Sequence, residues 1–178
     1  MENLRQELQQ YIAEHYEPEE NHVMYSYAPG DEKDEIYGFS GGGSSIDFDK
    51  VFAAFAAPKF QTKGESFSEM LLRLIAEKGG KPALIYNRAG INRQHFYKIS
   101  HNANYRPTKQ TAVAFAFALE LPLKKAQEFL KTAGYTLTNS SLADVIAMFF
   151  LEREIFSLDI VNQYLHENNQ PLLGDWKC

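Results

Sequence analysis

Apolar residues recur every three or four positions along the first sixteen residues, with charged and amide side chains at most positions between them. The apolar positions are Leu4, Leu8, Tyr11 and Ile12. This spacing predicts one amphipathic α-helix, because such residues share one face of a helix with 3.6 residues per turn. Pro18 cannot continue the helix and is expected to follow its end.

The segment that follows has a different pattern. Over residues 23–27, Val23, Tyr25 and Tyr27 alternate with Met24 and Ser26. A short aromatic run covers residues 36–39, and an acidic stretch lies between the two. Two such runs favour a β-hairpin with a long loop. The Gly/Ser tract at 41–45 is typical of a linker, because it lacks the lysine and hydroxyl residue that complete a phosphate-binding loop. A short helix is expected over residues 47–57.

The second half of the chain is a succession of short helices with recognisable starts. Ser66-Phe67-Ser68-Glu69 is a capping box, in which the side chains of Ser66 and Glu69 each accept a hydrogen bond from the other's backbone N–H. The other predicted starts are Pro82, Asn92, Pro107-Thr108, Pro122, Ser141 and Ser157. Seven such helices predict a mainly all-α fold, preceded by a small N-terminal region with one helix and the hairpin.

Charge is distributed unevenly along the chain. Residues 1–62 carry 4 Lys and Arg against 12 Asp and Glu, residues 63–135 carry 12 against 5, and residues 136–178 carry 2 against 6. A basic block between two acidic ones predicts that the central block binds a polyanion, with chance segregation of charge as the alternative. We therefore divide the chain into an acidic N-terminal region (1–62), a central domain (63–135) and a C-terminal extension (136–178).

The composition disfavours several classes of protein and site. A content of 44% hydrophobic and 23% charged residues is typical of a globular protein. No apolar run is long enough to span a bilayer, and the acidic start lacks the apolar core of a signal peptide, so a soluble cytoplasmic protein is expected. Cys178 is the only cysteine, and the 5 histidines have no metal-binding spacing. We expect no metal, no cofactor and no enzymatic activity.

Residues 85–99 have the pattern of a helix-turn-helix, in which a short helix leads to Gly90 and a second helix follows Asn92. The residues expected to be buried by this arrangement are Ile85, Ala89, Ile91, Phe96 and Ile99. The residues left to face outward are Asn92, Arg93, Gln94, Tyr97 and Lys98. Side chains of this kind can read DNA, because arginine pairs with guanine, and asparagine or glutamine with adenine.

This segment and its surroundings resemble the phage-repressor/Cro (XRE-type) family of helix-turn-helix transcriptional regulators. Residues 107–123, with Pro107-Thr108, Thr111, Ala116 and Leu119, are similar to that family's fourth helix and the loop into its fifth. The pattern that ends in Gln170-Pro171-Leu172-Leu173-Gly174 is similar to a bacterial subfamily with a helical C-terminal extension, so the resemblance covers residues 66–174. It implies a five-helix repressor-like bundle with two extra C-terminal helices. It also implies a homodimer that binds double-stranded DNA.

The resemblance also implies roles for individual residues. Four side chains would enter the major groove: Asn92, Arg93, Gln94 and Tyr97. Three would lie near phosphates: Lys98, Arg106 and Lys109. Tyr105 either forms a hydrogen bond with a phosphate or packs on Pro107.

Two positions depart from the family's pattern. Tyr86 stands where a small residue usually lets the two helices cross closely, and it is expected to shift the angle of the second helix. Pro82 stands where a polar residue usually faces DNA, so one phosphate contact is expected to be missing.

The sequence therefore predicts a sequence-specific DNA-binding regulator, namely a repressor that acts as a homodimer. A protein-interaction adaptor that uses the same fold without binding DNA is the alternative. The last two helices are expected either to extend the core or to form the dimer seam. In the second case the seam would include the apolar stripe of Ile160, Val161, Tyr164 and Leu165. The acidic N-terminal region is expected to bind an effector, a partner protein or the basic domain itself. If this region binds the basic domain, its acidic side chains would compete with DNA, namely Glu17, Glu19, Glu20 and those of residues 31–35. The alternative is that the region is a separate, solvated subdomain.

Overall fold

The computed structural model describes residues 2–18, 65–79, 81–102 and 104–175. These residues form eight α-helices and no strand. The helices are α1 (Glu2–His15), α2 (Phe67–Glu77), α3 (Pro82–Arg88), α4 (Arg93–His101), α5 (Lys109–Ala118), α6 (Leu123–Thr132), α7 (Leu142–Glu152) and α8 (Leu158–Glu167). The prediction of a mainly α-helical fold is confirmed. The predicted hairpin at 23–39 and the short helix at 47–57 lie outside the described residues.

The helices begin where the capping residues predicted. Ser66 and Glu69 form the reciprocal capping box at the start of α2. The side chains of Asn92, Thr108 and Ser141 each accept a hydrogen bond from a backbone N–H in the first turn of α4, α5 and α7. Each such bond satisfies one of the amides that a helix leaves open at its start. Local sequence therefore determines most of the boundaries.

Two helices lie at the centre of the core and have no exposed face along most of their length. In α5 and the residue after it, every side chain from Thr111 to Leu119 is buried. In α7, every side chain from Asp144 to Leu151 is buried. The apolar residues of α5 cover all sides of the helix, and α3, α6 and α8 pack around it. A helix that is apolar on all sides belongs in such a fully surrounded position.

The N-terminal helix α1 packs against α7. Leu8 and Tyr11 are buried, and the Tyr11 ring meets the ring of Phe149 edge to face at a centroid distance of 5.3 Å. Arg5 forms an ion pair with Glu167 at 2.9 Å. Residues 2–18 accordingly belong to the same compact unit as the described residues between 65 and 175.

The apolar stripe of α8 is buried within the chain. Val161, Tyr164 and Leu165 are all buried, and α8 packs against α5 and α7. Ile160 is the one member of the stripe that is exposed, at 37%. Of the two roles expected for this helix, the structure supports extension of the core, because most of the stripe is buried within the same chain and is not available as a dimer seam.

None of the helices formed by the described residues is long and apolar enough to cross a bilayer. The longest of them, α1, has 14 residues and alternates apolar with charged positions.

Candidate nucleic-acid interface

The helix pair α3–α4 is held together by the residues expected to be buried. Ile85, Ala89, Ile91, Phe96 and Ile99 are all buried, as the pattern predicted. Gly90 has a φ of +62°, a conformation that favours glycine. The turn is closed by a hydrogen bond of 2.8 Å from the Ile91 N–H to the Tyr86 carbonyl. These contacts leave the opposite side of α4 facing away from the core.

Four neighbouring side chains on α4 are exposed: Arg93, Gln94, Tyr97 and Lys98. Within the described part of the chain, Arg93, Gln94 and Lys98 make no side-chain hydrogen bond or ion pair. The Tyr97 ring is 61% exposed and stacks on the His101 ring at a centroid distance of 3.9 Å. These four side chains, which we call the α4 polar face, are therefore available to a partner.

Asn92 was predicted to read bases, but its side chain already has two partners. Its Oδ1 accepts a hydrogen bond of 2.8 Å from the His95 N–H and caps α4. Its Nδ2 donates a hydrogen bond of 2.9 Å to Oδ2 of Asp175, and its own backbone N–H donates to the same oxygen at 3.1 Å. In this state Asn92 therefore organises the start of α4.

His95 connects three parts of the chain. Its Nδ1 donates a hydrogen bond of 2.7 Å to Oδ1 of Asp175. In the neutral ring the other nitrogen is then an acceptor, and Nε2 lies 3.0 Å from the Tyr105 hydroxyl. The Tyr105 hydroxyl is thereby engaged with His95, an arrangement that neither of the two interpretations of Tyr105 included.

The predicted phosphate-contacting residues differ in their surroundings. Arg106 is exposed and, among the described residues, has no side-chain hydrogen bond or ion pair. Lys109 instead forms an ion pair with the buried carboxylate of Asp144. That carboxylate also accepts a hydrogen bond of 3.0 Å from the Thr138 N–H. Because Asp144 is buried, its negative charge needs this lysine, so Lys109 has a structural role in the fold.

Asp175, which links the C-terminal segment to α4, was not among the predicted site residues. Its backbone N–H donates a hydrogen bond of 3.0 Å to the Gly90 carbonyl, and its carboxylate accepts from Asn92 and His95. The signal in the sequence was the apolar pair Leu172-Leu173 in an otherwise polar segment, which indicates that this segment packs against the core.

Tyr86 lies where a small residue was expected, and its ring is partly buried against Phe96 at a centroid distance of 5.1 Å. The larger side chain is accommodated by this aromatic contact between α3 and α4. Pro82 occupies the first position of α3, where its missing N–H costs no helical hydrogen bond.

The start of α4, the loop after it and the C-terminal segment line one open groove of about 490 Å³. Its lining includes Gln94 and Lys98 from the α4 polar face, together with Tyr105, Thr108 and Asp175. Lys98 and Asp175 therefore bring opposite charges to the same groove. No group of three or more His, Cys, Asp or Glu side chains that could hold a metal ion occurs among the described residues.

Comparison with known proteins gives no direct guide to this surface. No protein-family model, no curated protein and no solved structure matches the chain.

Proposed function

We propose that this protein is a sequence-specific DNA-binding regulator of transcription, a repressor that uses α3 and α4 as a helix-turn-helix. The observation that carries the proposal is the α4 polar face. Arg93, Gln94, Tyr97 and Lys98 are exposed side by side on one capped helix, and packing within the described chain does not account for them. An α-helix that presents such residues fits the major groove of DNA.

The chemistry of the four side chains suits the two kinds of contact that DNA offers. Arg93 can donate two hydrogen bonds to guanine, and Gln94 can bond adenine on both its ring and amino nitrogens. Lys98 and the exposed Arg106 carry charges suited to phosphates, whose contacts fix the register of the protein on the duplex. The surplus of 12 basic over 5 acidic residues in segment 63–135 favours the same partner.

Three of the predicted contacts have intramolecular partners and contribute less to the proposal. Asn92 and Tyr105 are linked to Asp175, directly or through His95, and Lys109 neutralises Asp144. The proposed reading surface is therefore the α4 polar face with Arg106 beside it.

A homodimer remains part of the proposal, since two-fold symmetric operators are read by two copies of a helix-turn-helix. Its seam has to come from a surface other than the buried stripe of α8. Sedimentation at micromolar concentration, with and without a symmetric duplex, tests this point; a monomer in both conditions would contradict it.

A protein-docking role for the same helix pair is the second candidate. It is favoured by one observation: Leu84, on α3, is 58% exposed, although leucine is usually buried. Exposed apolar side chains are typical of the centre of a protein–protein contact. Binding to a protein partner would depend much less steeply on salt than binding to DNA does.

The decisive experiment measures binding of the full chain to DNA at several salt concentrations. Duplexes selected from a random pool should bind with an affinity that falls steeply as salt rises, because phosphate contacts release counterions. On the selected site Arg93→Ala should cost about 1–3 kcal/mol, and on random duplexes less.

Arg88→Ala is the matched control for this experiment. Arg88 is an exposed arginine on α3 that pairs with Glu120 rather than belonging to the α4 polar face. Arg88→Ala should change the affinity for selected and for random duplexes by the same factor. Failure to select any duplex, or equal losses for Arg93→Ala on both kinds of DNA, would contradict sequence-specific reading by α4.

A further inference from the structure

The C-terminal segment lies against the start of α4, and it is anchored there by a buried contact. The side chain of Asn162, on α8, donates a hydrogen bond of 3.1 Å to the Leu173 carbonyl and accepts one of 2.8 Å from the Leu173 N–H. Both residues are buried. The reciprocal pair satisfies all of these polar groups without water, so Leu173 is a fixed point of the fold.

Beyond this anchor, the chain continues with Gly174 and Asp175. Gly174 has a φ of +90°, a conformation in which glycine is not strained. Asp175 then places a carboxylate on Asn92 and His95, with three donors within 3.1 Å. The Asp175 side chain is 23% exposed, so it is accessible from the groove that Gln94 and Lys98 line.

Building on the proposed function, we infer that Asp175 regulates DNA binding by competing with the DNA backbone for the first turn of α4. Among the described residues that line the groove with Gln94 and Lys98, its carboxylate is the one acidic side chain. A duplex that contacts these two side chains brings its phosphates close to that carboxylate. Like charges repel, and inside a groove the repulsion is screened less than in open solvent.

The same contact also occupies donors that DNA could use. The Asn92 amide and the His95 ring can each donate to a phosphate oxygen, yet both donate to Asp175 in this state. Full engagement of DNA therefore requires the Asp175 carboxylate to leave these donors. Rotation of the Asp175 side chain suffices for this, while its backbone N–H stays bonded to the Gly90 carbonyl and Leu173 stays bonded to Asn162. The switch therefore involves one side chain rather than a whole domain.

The test compares the full chain with Asp175→Asn and Asp175→Ala in binding to a duplex of random sequence at four salt concentrations. Asparagine keeps the size of the side chain and removes its charge; alanine also frees Asn92 and His95. At about 0.1 M salt we expect Asp175→Asn to bind about threefold more tightly, and Asp175→Ala up to about tenfold more tightly. The salt slope of Asp175→Ala should steepen by about 0.9, the value for one additional phosphate contact.

Two further variants separate this effect from general ones. Glu128→Gln removes one negative charge from an exposed residue of α6 that has no hydrogen bond or ion pair with a described residue, and it should leave affinity nearly unchanged. Asp175→Glu keeps the charge and should bind DNA as weakly as the wild type. Thermal unfolding of each variant checks that α4 and the core remain folded.

The outcomes distinguish this inference from the proposed function. Tighter binding by the two neutral variants, with Asp175→Glu unchanged, supports the competition. If the wild type binds DNA and both neutral variants bind it equally well or more weakly, the competition is overturned while DNA binding stands. Absence of binding by the wild type and all variants, even at low salt, would overturn the proposed function and the competition together.

Discussion

At the scale of single residues, Arg153 at the end of α7 contacts the rings of Phe149 and Tyr11 and so helps to hold the N-terminal helix α1 in place. The guanidinium carbon lies 3.8 Å from the centre of the Phe149 ring and 5.6 Å from that of Tyr11. A cation over an aromatic face is attracted by the ring's electrons. Burial raises the pKa of Tyr11 to about 12, and a hydrogen bond with Glu152 adds to the rise.

The raised pKa of Tyr11 predicts a pH-dependent stability. The folded state holds the phenolic proton more tightly than the unfolded chain does, because in the unfolded chain the pKa of tyrosine is near 10. The contribution of the protonated Tyr11 phenol to the free energy of unfolding is therefore complete below pH 10 and is lost as the pH rises towards 12. Urea unfolding of the wild type and Tyr11→Phe between pH 8 and 11.5 measures it. The free energy of unfolding should fall more steeply for the wild type, and parallel curves would contradict the prediction.

At the scale of helices, the contact between α8 and the C-terminal segment depends on one buried amide. Asn162→Ala should lower the free energy of unfolding by about 1–3 kcal/mol, because it leaves the backbone groups of Leu173 buried without partners. Hydrogen exchange at the Leu173 amide should accelerate at the same time.

Gln163→Ala is the control for that change. Gln163 is exposed and bonds Glu167 one turn further along α8, so its replacement should alter stability by less than about 0.5 kcal/mol. Equal effects of the two substitutions would show that the buried amide has no special role.

Helix boundaries could be predicted from the sequence, because caps act locally. Ser66, Asn92 and Thr108 each bond a backbone amide within their own first turn. The partners of Asn92 and His95 could not be predicted in this way. Asp175 is 83 residues from Asn92 in sequence, and only the packing of Leu173 on α8 brings it there.

The same limit applies to the apolar face of α8, whose two possible roles the sequence left open. Its apolar stripe was recognised correctly, but spacing along a helix does not reveal which surface covers it. The surroundings of each side chain were predicted best where it faces outward, as with Arg93 and Gln94, which are exposed. Their role in binding stays a prediction. The surroundings were predicted least well where distant segments supply partners, as Asp144 does for Lys109.

At the scale of the whole molecule, the first helix is part of the same compact unit as the described residues between 65 and 175. Leu8 is buried against that unit, and Glu17 donates its backbone N–H to the Asn139 carbonyl at 3.0 Å. Removal of residues 1–62 would therefore expose core surface on α7. A test of the acidic N-terminal segment has to retain residues 1–18.

Because α1 contributes Leu8 to the core, a single substitution there should have a large effect on the free energy of unfolding. Leu8→Ala should lower the free energy of unfolding by about 2–5 kcal/mol, since a fully buried leucine leaves a cavity when truncated. Chemical unfolding followed by circular dichroism measures this. Gln9→Ala, at an exposed neighbouring position, should change stability by less than about 0.5 kcal/mol. A small effect for Leu8→Ala would mean that α1 detaches without cost.

The burial of α5 restricts how this protein can diverge in evolution. From Ala112 to Leu119 alanines alternate with larger apolar residues, and every one of these positions is buried. A larger residue in place of an alanine would overpack the core, and a smaller one in place of Phe115 or Phe117 would leave a void. Apart from the stacking of Tyr97 on His101, the side chains of the α4 polar face are exposed, so the core constrains these positions little. Related proteins should therefore keep α5 nearly constant while residues 93, 94, 97 and 98 vary from one lineage to the next.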